Sequence, residues 1–305
     1  MKRFPKCILG TCCVPWDERG EFLEDLFRDQ VRELLARATK HLYIFGTAGE
    51  GYAVSERQFD RIVGVFRDAM RLGGAEPMVG VISLSLPTII ERIERARDAG
   101  VRQFQISLPS WGPLSEPELS EFFCQTCGRF RDCQFLHYNL MRTKRLVTPR
   151  DYARLALEHP NLVATKNSTD SIERIDELLS LAPQLQHFLN ETGYAYGSQV
   201  SECGLLSSLA NLNCSSLRAF FEAGERRDAS VLLRMQRELS ALGRDLAELV
   251  GGTAHMDGAF DKMLWRMHDR RFPLRMLPPY SGVTEECFER FARLVAEKYP
   301  RWMPE

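Results

Sequence analysis

The sequence predicts an α/β protein, a (β/α)8 TIM barrel with a C-terminal helical extension. Two observations on the first two-thirds of the chain predict the barrel. Eight short apolar runs are spread over residues 7–209, and amphipathic segments of helical length separate most of them. Eight strand-then-helix units fit a closed barrel better than an open sheet. The third observation is that beyond about Ser215 the strand pattern stops and only helical patterns continue.

The expected strands are Cys7–Val14, Leu42–Phe45, Met78–Ile82, Phe104–Leu108, Gln134–Tyr138, Leu162–Ala164, His187–Leu189 and Leu205–Leu209. The expected barrel helices are Phe22–Ala38, Glu56–Met70, Thr88–Ala99, Glu116–Phe130, Pro149–Glu158 and Ser171–Leu181. Ser55 followed by Gln58 reads as a capping box. Thr148 is a good N-cap, with Pro149 at the first helical position and Asp151 in the first turn. Gly73-Gly74 and Gly100 close helices, because glycine tolerates the left-handed cap. Ser216–Gly224, Asp228–Val250, Asp257–His268 and Thr284–Lys298 read as further helices. The expected division is a barrel over 1–214 and a helical layer over 215–305.

A chain of 305 residues suits one such barrel with a modest addition. Hydrophobic residues make up 44% and charged residues 27%, values of a soluble globular protein. With 40 basic and 41 acidic residues there is no basic stripe, so nucleic acid is not an expected partner. No apolar run approaches the roughly 18 residues that span a bilayer, so no membrane partner is expected. The apolar run after Lys6 is short and holds Gly10, which reads as a first strand and not as a signal peptide. Nine cysteines without a secretory signal read as reduced thiols in a cytoplasmic protein.

Three groups carry chemistry, each at or just past the end of a predicted strand. They are Gly46-Thr47-Ala48-Gly49-Glu50-Gly51, Tyr138-Asn139 and Lys166. In a barrel the carboxyl ends of all strands meet on one face, so these groups are expected to converge. A lysine at the end of an apolar strand is costly to keep charged, so its pKa should fall and leave an amine able to attack a carbonyl. From the strand pattern alone, a lysine snorkelling to solvent explains it as well. The Tyr138 phenol is suited to pass a proton, and equally to pack in the core. The glycine-rich turn can let a carboxylate approach the backbone, or can simply join strand to helix. Its spacing is neither GxGxxG nor a P-loop.

Together these residues resemble the dihydrodipicolinate synthase / N-acetylneuraminate lyase family. The family's GTTGE or GSTGE, followed by Leu-Ser-x-x-Glu, is similar to Gly46-Thr47-Ala48-Gly49-Glu50 and Val54-Ser55-Glu56-Arg57. Its Tyr-Asn, Arg-Thr, Pro-Asn and lysine series is similar to Tyr138-Asn139, Arg142-Thr143, Pro160-Asn161 and Lys166. Gly204-Leu205-Leu206-Ser207 with Asn211 is a weaker third echo. The resemblance implies that Lys166 is the Schiff-base lysine, Tyr138 the proton-relaying phenol, and Thr47 the hydroxyl that links that tyrosine to the solvent side. It implies that Thr47 and the Ala48 amide hold the substrate carboxylate, and that the Leu206 carbonyl lies by the pyruvyl group. The substrate would be pyruvate or a related 2-oxo acid. No metal and no organic cofactor is implied, and the assembly would be a homotetramer or a homodimer.

One departure from the pattern touches the carboxylate seat, and the others lie on the second-substrate side, around Ser110, Trp111, Arg142 and Glu191. Ala48 replaces the second threonine, and Ser110-Trp111 stands where synthases carry a tyrosine pair; an indole cannot relay a proton as a phenol does. Arg142, suited to a distal carboxylate, sits one residue nearer the Tyr-Asn pair than usual. Leu189-Asn190-Glu191 replaces a Gly-Asp pattern. The expectation is a lyase or aldolase with a divergent second-substrate pocket formed by Trp111, Arg142 and Glu191. The alternative is a non-catalytic barrel that binds a 2-oxo acid as a sensor or scaffold. Cys124 and Cys127 form a CxxC without a second pair at zinc spacing, and read as plain thiols on a helix.

Overall fold

The computed structural model describes residues 2–169, 171–207 and 212–305. Eight parallel strands close into a barrel in chain order. They are β1 (Ile8–Thr11), β2 (Leu42–Ile44), β3 (Met78–Gly80), β4 (Gln103–Ile106), β5 (Gln134–Asn139), β6 (Leu162–Asn167), β7 (Gln186–Leu189) and β8 (Gly204–Leu206). β8 pairs with β1, with Ile8 opposite Leu205 and Leu9 opposite Leu206. The expected reach of the eighth strand to Leu209, and Asn211 beyond it, lies outside the described residues.

The ring helices are α1 (Glu24–Arg37), α2 (Glu56–Leu72), α3 (Leu86–Asp98), α4 (Glu116–Phe123), α5 (Pro149–Glu158), α6 (Ile172–Leu181), α7 (Glu191–Val200) and α8 (Cys214–Glu225). Local chemistry starts several of them. Ser55 and Gln58 form the capping box of α2, and Phe59, Ile62, Val63, Phe66 and Met70 make its buried stripe. Thr148 caps α5 by accepting from the Asp151 amide. α4 ends earlier than expected, at Phe123, and continues as a π-helical turn over Cys124–Gly128.

Two helices differ from the sequence reading. α7 was not expected, since Gly193, Gly197 and a run of hydroxyl and aromatic residues are poor helix formers. Packing explains it: a Cβ on Gly197 would meet Leu189 at 2.9 Å and the Cys203 sulfur at 3.1 Å, so the helix lies too close to β7 for a side chain. Asn190 caps it by accepting from the Gly193 amide at 2.9 Å. The helix expected at Ser216–Gly224 in the C-terminal layer lies within α8, which packs between α7 and α1 and is the eighth helix of the ring. The helices that follow are α9 (Ala229–Val250), α10 (Asp257–Arg266) and α11 (Glu285–Lys298). None of the described helices is long and apolar enough to cross a membrane.

Two apolar clusters hold the layers. One lies between strands and helices. The other fills the barrel with Phe4, Leu9, Tyr43, Met78, Leu136, Val163, Ala164 and Phe188. The turn after β2 winds tightly on itself. A Cβ on Gly49 would come within 2.7 Å of the Phe45 nitrogen, and one on Gly51 within 2.5 Å of the Phe45 carbonyl oxygen, so both positions require glycine. Phe45 and Glu50 adopt positive φ of 58° and 57°. Glu50 is held there by three donors: the Trp16 indole at 2.8 Å, the Leu277 amide at 2.7 Å and the Lys262 ammonium. Glu50 and Lys262 form an ion pair whose side chains are both 0% exposed. Arg92 adds a clamp, donating to the carbonyls of Gly51 at 2.9 Å and Ile82 at 2.8 Å.

A buried pair that loses one partner leaves a charge without compensation. Lys262→Met is expected to destabilise the protein by ~3–5 kcal/mol, read by urea unfolding; a loss under about 1 kcal/mol would mean the pair is not closed as described.

Candidate active site

The site forms at the carboxyl end of the barrel. β5 and β6 pair so that Tyr138 is opposite Lys166, which sets the two side chains side by side on adjacent strands. Lys166 is 4% exposed. Its Nζ lies 3.7 Å from the centroid of the Tyr138 ring and donates to the Tyr43 hydroxyl at 2.8 Å. Tyr43 belongs to β2, four strands round from β6, so the lysine reaches across the full width of the barrel. The expected convergence of Lys166 and Tyr138 is therefore met.

Burial pulls the Lys166 amine down to about 8; Asp257 and Asp261 hold it up against this, and Arg142 pulls it further down. Desolvation wins over the two carboxylates, in the direction expected for a strand-end lysine. At pH 7 roughly a tenth of the amine is neutral on that value. Burial pushes the Tyr138 phenol up to about 12, helped by Asp257 and opposed by the Thr47 hydroxyl and Arg142. The phenol is thus a proton donor at neutral pH.

Thr47 and Arg142 meet on one carboxylate. The Thr47 hydroxyl donates to Asp257 Oδ2, and Arg142 donates to Asp257 Oδ1 at 3.3 Å. Asp257 opens α10, and Asp261 one turn on shares its face. α10 can approach the turn because residue 258 is glycine: a Cβ there would meet the Ala48 carbonyl oxygen at 2.8 Å. Ala48 is buried beneath it. Leu206 ends β8 and packs on the interior cluster. Glu191 starts α7, accepts from the Ser207 hydroxyl, and lines a cleft of about 350 Å³ between α7, α9 and α10, whose walls include Asp257 and Asp261 but neither Lys166 nor Tyr138. Trp111 is 82% exposed, with its carbonyl accepting from Lys144 at 2.9 Å.

Other candidates resolve into structure. His137 Nδ1 shares a hydrogen bond with the Tyr152 hydroxyl at 2.7 Å, and burial pulls its pKa down to about 3. Asn139 exchanges hydrogen bonds with the Val147 backbone, 3.0 Å each, which fixes the loop leading to α5. Cys124 and Cys127 are free, and no group of His, Cys, Asp and Glu among the described residues is suited to a metal ion.

A family model, the dihydrodipicolinate synthetase family, matches residues 5–293. The chain belongs to this family. Among its relatives, the 4-hydroxy-tetrahydrodipicolinate synthase of Brucella abortus is 25% identical over 244 residues, covering 79% of this chain and 83% of that one. The synthase of Thermus thermophilus is 23% identical over 296 residues, covering 92% of each. Of solved structures, YagE of E. coli K12 in complex with pyruvate superposes with a TM-score of 0.84 at 16% identity, over 96% of this chain and 98% of that one. A Sulfolobus 2-keto-3-deoxygluconate aldolase in complex with D-KDPG superposes with a TM-score of 0.79 at 15% identity, over 97% of each. At such identities the likeness is one of fold.

Beside the family signature, sequence reasoning missed Tyr43, Asp257 and Asp261. The strand alternation that puts Tyr43 on the inner face was a usable signal. Asp257 carried none, since it meets Thr47 from 210 positions downstream.

The reactivity of Lys166 should follow its depressed pKa. Reductive methylation of Lys166 with formaldehyde, followed by mass spectrometry across pH, is expected to be half-maximal near about 8. Asp257→Asn removes a charge that favours the ammonium, so the midpoint should move to lower pH; a midpoint at the ordinary lysine value, or a move upward in the variant, would contradict the electrostatics described.

Proposed function

We propose that the protein is a Schiff-base-forming lyase or aldolase acting on pyruvate or a related 2-oxo acid, with Lys166 as the nucleophile. The observation that carries this is the amine itself: buried, with its pKa drawn down to about 8, and lying 3.7 Å from the ring of a protonated phenol. The Lys166 amine attacks the ketone carbon and the oxygen takes up a proton to give a carbinolamine. Loss of water leaves a protonated imine. That imine is the electron sink for breaking, making or eliminating at the next carbon. Tyr138 is the proton carrier on the oxygen side, and Thr47 with the Ala48 amide the seat of the carboxylate. Displacement of Asp257 from Thr47 would accompany binding. No organic cofactor or metal enters this scheme.

The second-substrate side supports a departure from a carboxylated partner. Arg142 is already paired with Asp257. A guanidinium already neutralised by a carboxylate suits a hydroxylated or neutral aldehyde portion better than another anion. The alternative of a barrel that binds a 2-oxo acid without turnover draws on the Asp257 contact with Thr47, which occupies a group the substrate would need.

Borohydride with a panel of 2-oxo acids should reduce an adduct onto Lys166, identified by peptide mass spectrometry, and Lys166→Ala should abolish it. Tyr138→Phe should lower turnover by ~10²–10⁴-fold. A panel that leaves Lys166 unmodified would sink the proposal; an adduct without turnover of any 2-oxo acid would leave the binding alternative standing.

A further inference from the structure

Tyr43 is a tyrosine in the barrel interior that neither the turn motif nor the Tyr-Asn motif contains. We propose that it is a second catalytic phenol, whose oxygen holds the nitrogen of Lys166 as free amine and then as imine, leaving the Tyr138 hydroxyl for the oxygen side of the reaction. The inference rests on the imine-forming reading above.

The geometry divides the two phenols. Lys166 Nζ donates to Tyr43 Oη at 2.8 Å, yet lies over the face of the Tyr138 ring, 3.7 Å from its centroid. A nitrogen above a ring face meets its π cloud and not its hydroxyl. The Tyr138 hydroxyl is influenced by Thr47, Asp257 and Arg142, which are the groups at the mouth. The Tyr43 hydroxyl belongs to the opposite wall from β6. Tyr43 pairs with Thr11 of β1 and Met78 of β3, and its side chain belongs to the cluster that fills the barrel. Gly46 makes room for that ring, since a Cβ there would come within 2.7 Å of Tyr43 Cε2. Tyr43 is 2% exposed, and burial keeps its phenol protonated.

The proton count assigns the role. A neutral amine brings two hydrogens. On attack the N–C bond forms, the carbonyl π bond breaks, and one hydrogen of the amine goes to the oxygen. That hydroxyl leaves as water with one further proton from solvent. The remaining N–H stays on the iminium. Tyr43 Oη, already the acceptor for this nitrogen, accepts that N–H after it becomes cationic. A hydrogen bond to a charged donor is stronger than one to a neutral amine, so Tyr43 stabilises the iminium more than the ground state, which is what raises a rate.

Tyr43→Phe keeps the ring and removes only the oxygen, and circular dichroism and thermal melting check that the variant is folded. With pyruvate and the 2-oxo acid panel, the borohydride-trappable fraction of Lys166 should fall ~10- to 100-fold in the variant, at a pH high enough that the amine is neutral in both proteins. The loss should appear in kcat rather than KM for any substrate turned over. The lower limb of the pH profile should also move to more acidic pH, because an acceptor that favours the ammonium is gone. Unchanged trapping at high pH with wild-type kcat would overturn the role of Tyr43 while leaving the imine reading intact. No adduct on the wild-type protein with any of the acids would overturn both.

Discussion

The buried ion pair between Glu50 and Lys262 ties the two halves of the molecule together. Glu50 sits in the turn after β2 at a positive φ that an L-residue adopts only when held. Lys262 lies on α10, past the ring of barrel helices. Removing two charges from water is expensive, so such a pair persists only with close geometry and further hydrogen bonds. Trp16 and the Leu277 amide supply those on the Glu50 side. The pair locks the glycine-rich turn against α10, and that contact sets Asp257 over Thr47. The C-terminal layer is thus part of the site and not an appendage beside it.

Opposing fields meet at Lys166. Burial in the apolar interior disfavours its ammonium, while Asp257 and Asp261 favour it. Two aromatic faces, Tyr138 at 3.7 Å and Tyr43 at 4.9 Å, also attract a cation. The result is an amine pulled well below the ordinary lysine range that can still carry a proton near neutral pH. An imine former needs both states: neutral to attack, then cationic to draw electrons from the neighbouring carbon. The same acidic groups that hold the amine up also reshape the mouth, because Asp257 pairs with Arg142.

Much of this was legible in residues 42–51, 138–143 and 161–166. Strand ends, caps and the GTAGEG turn are local patterns, and short-range physics governs them. Ser55 with Gln58 and Thr148 with Asp151 cap the helices they were expected to cap. α7 was hidden because its two glycines weigh against a helix, and only close packing on β7 explains them. Placing Ser216–Gly224 outside the barrel followed from counting strands, whereas the ring is closed by a helix after the last strand. Trp111 drew attention through its place in the motif, and its indole stands 82% exposed.

The sequence by itself determined the barrel, the family signature and the pairing of a lysine with a tyrosine. Each rests on periodicity or on residues within a few positions of a strand end, where sequence order and spatial order coincide. Tertiary structure alone decided that Lys166 reaches Tyr43 on the far wall, that Asp257 lies on Thr47, and that Lys262 neutralises Glu50. Those contacts span 123, 210 and 212 positions. They depend on barrel closure and on the docking of α10, for which no local pattern carries a signal. The lysine that periodicity marked as costly to keep charged is therefore explained only by the wall it faces.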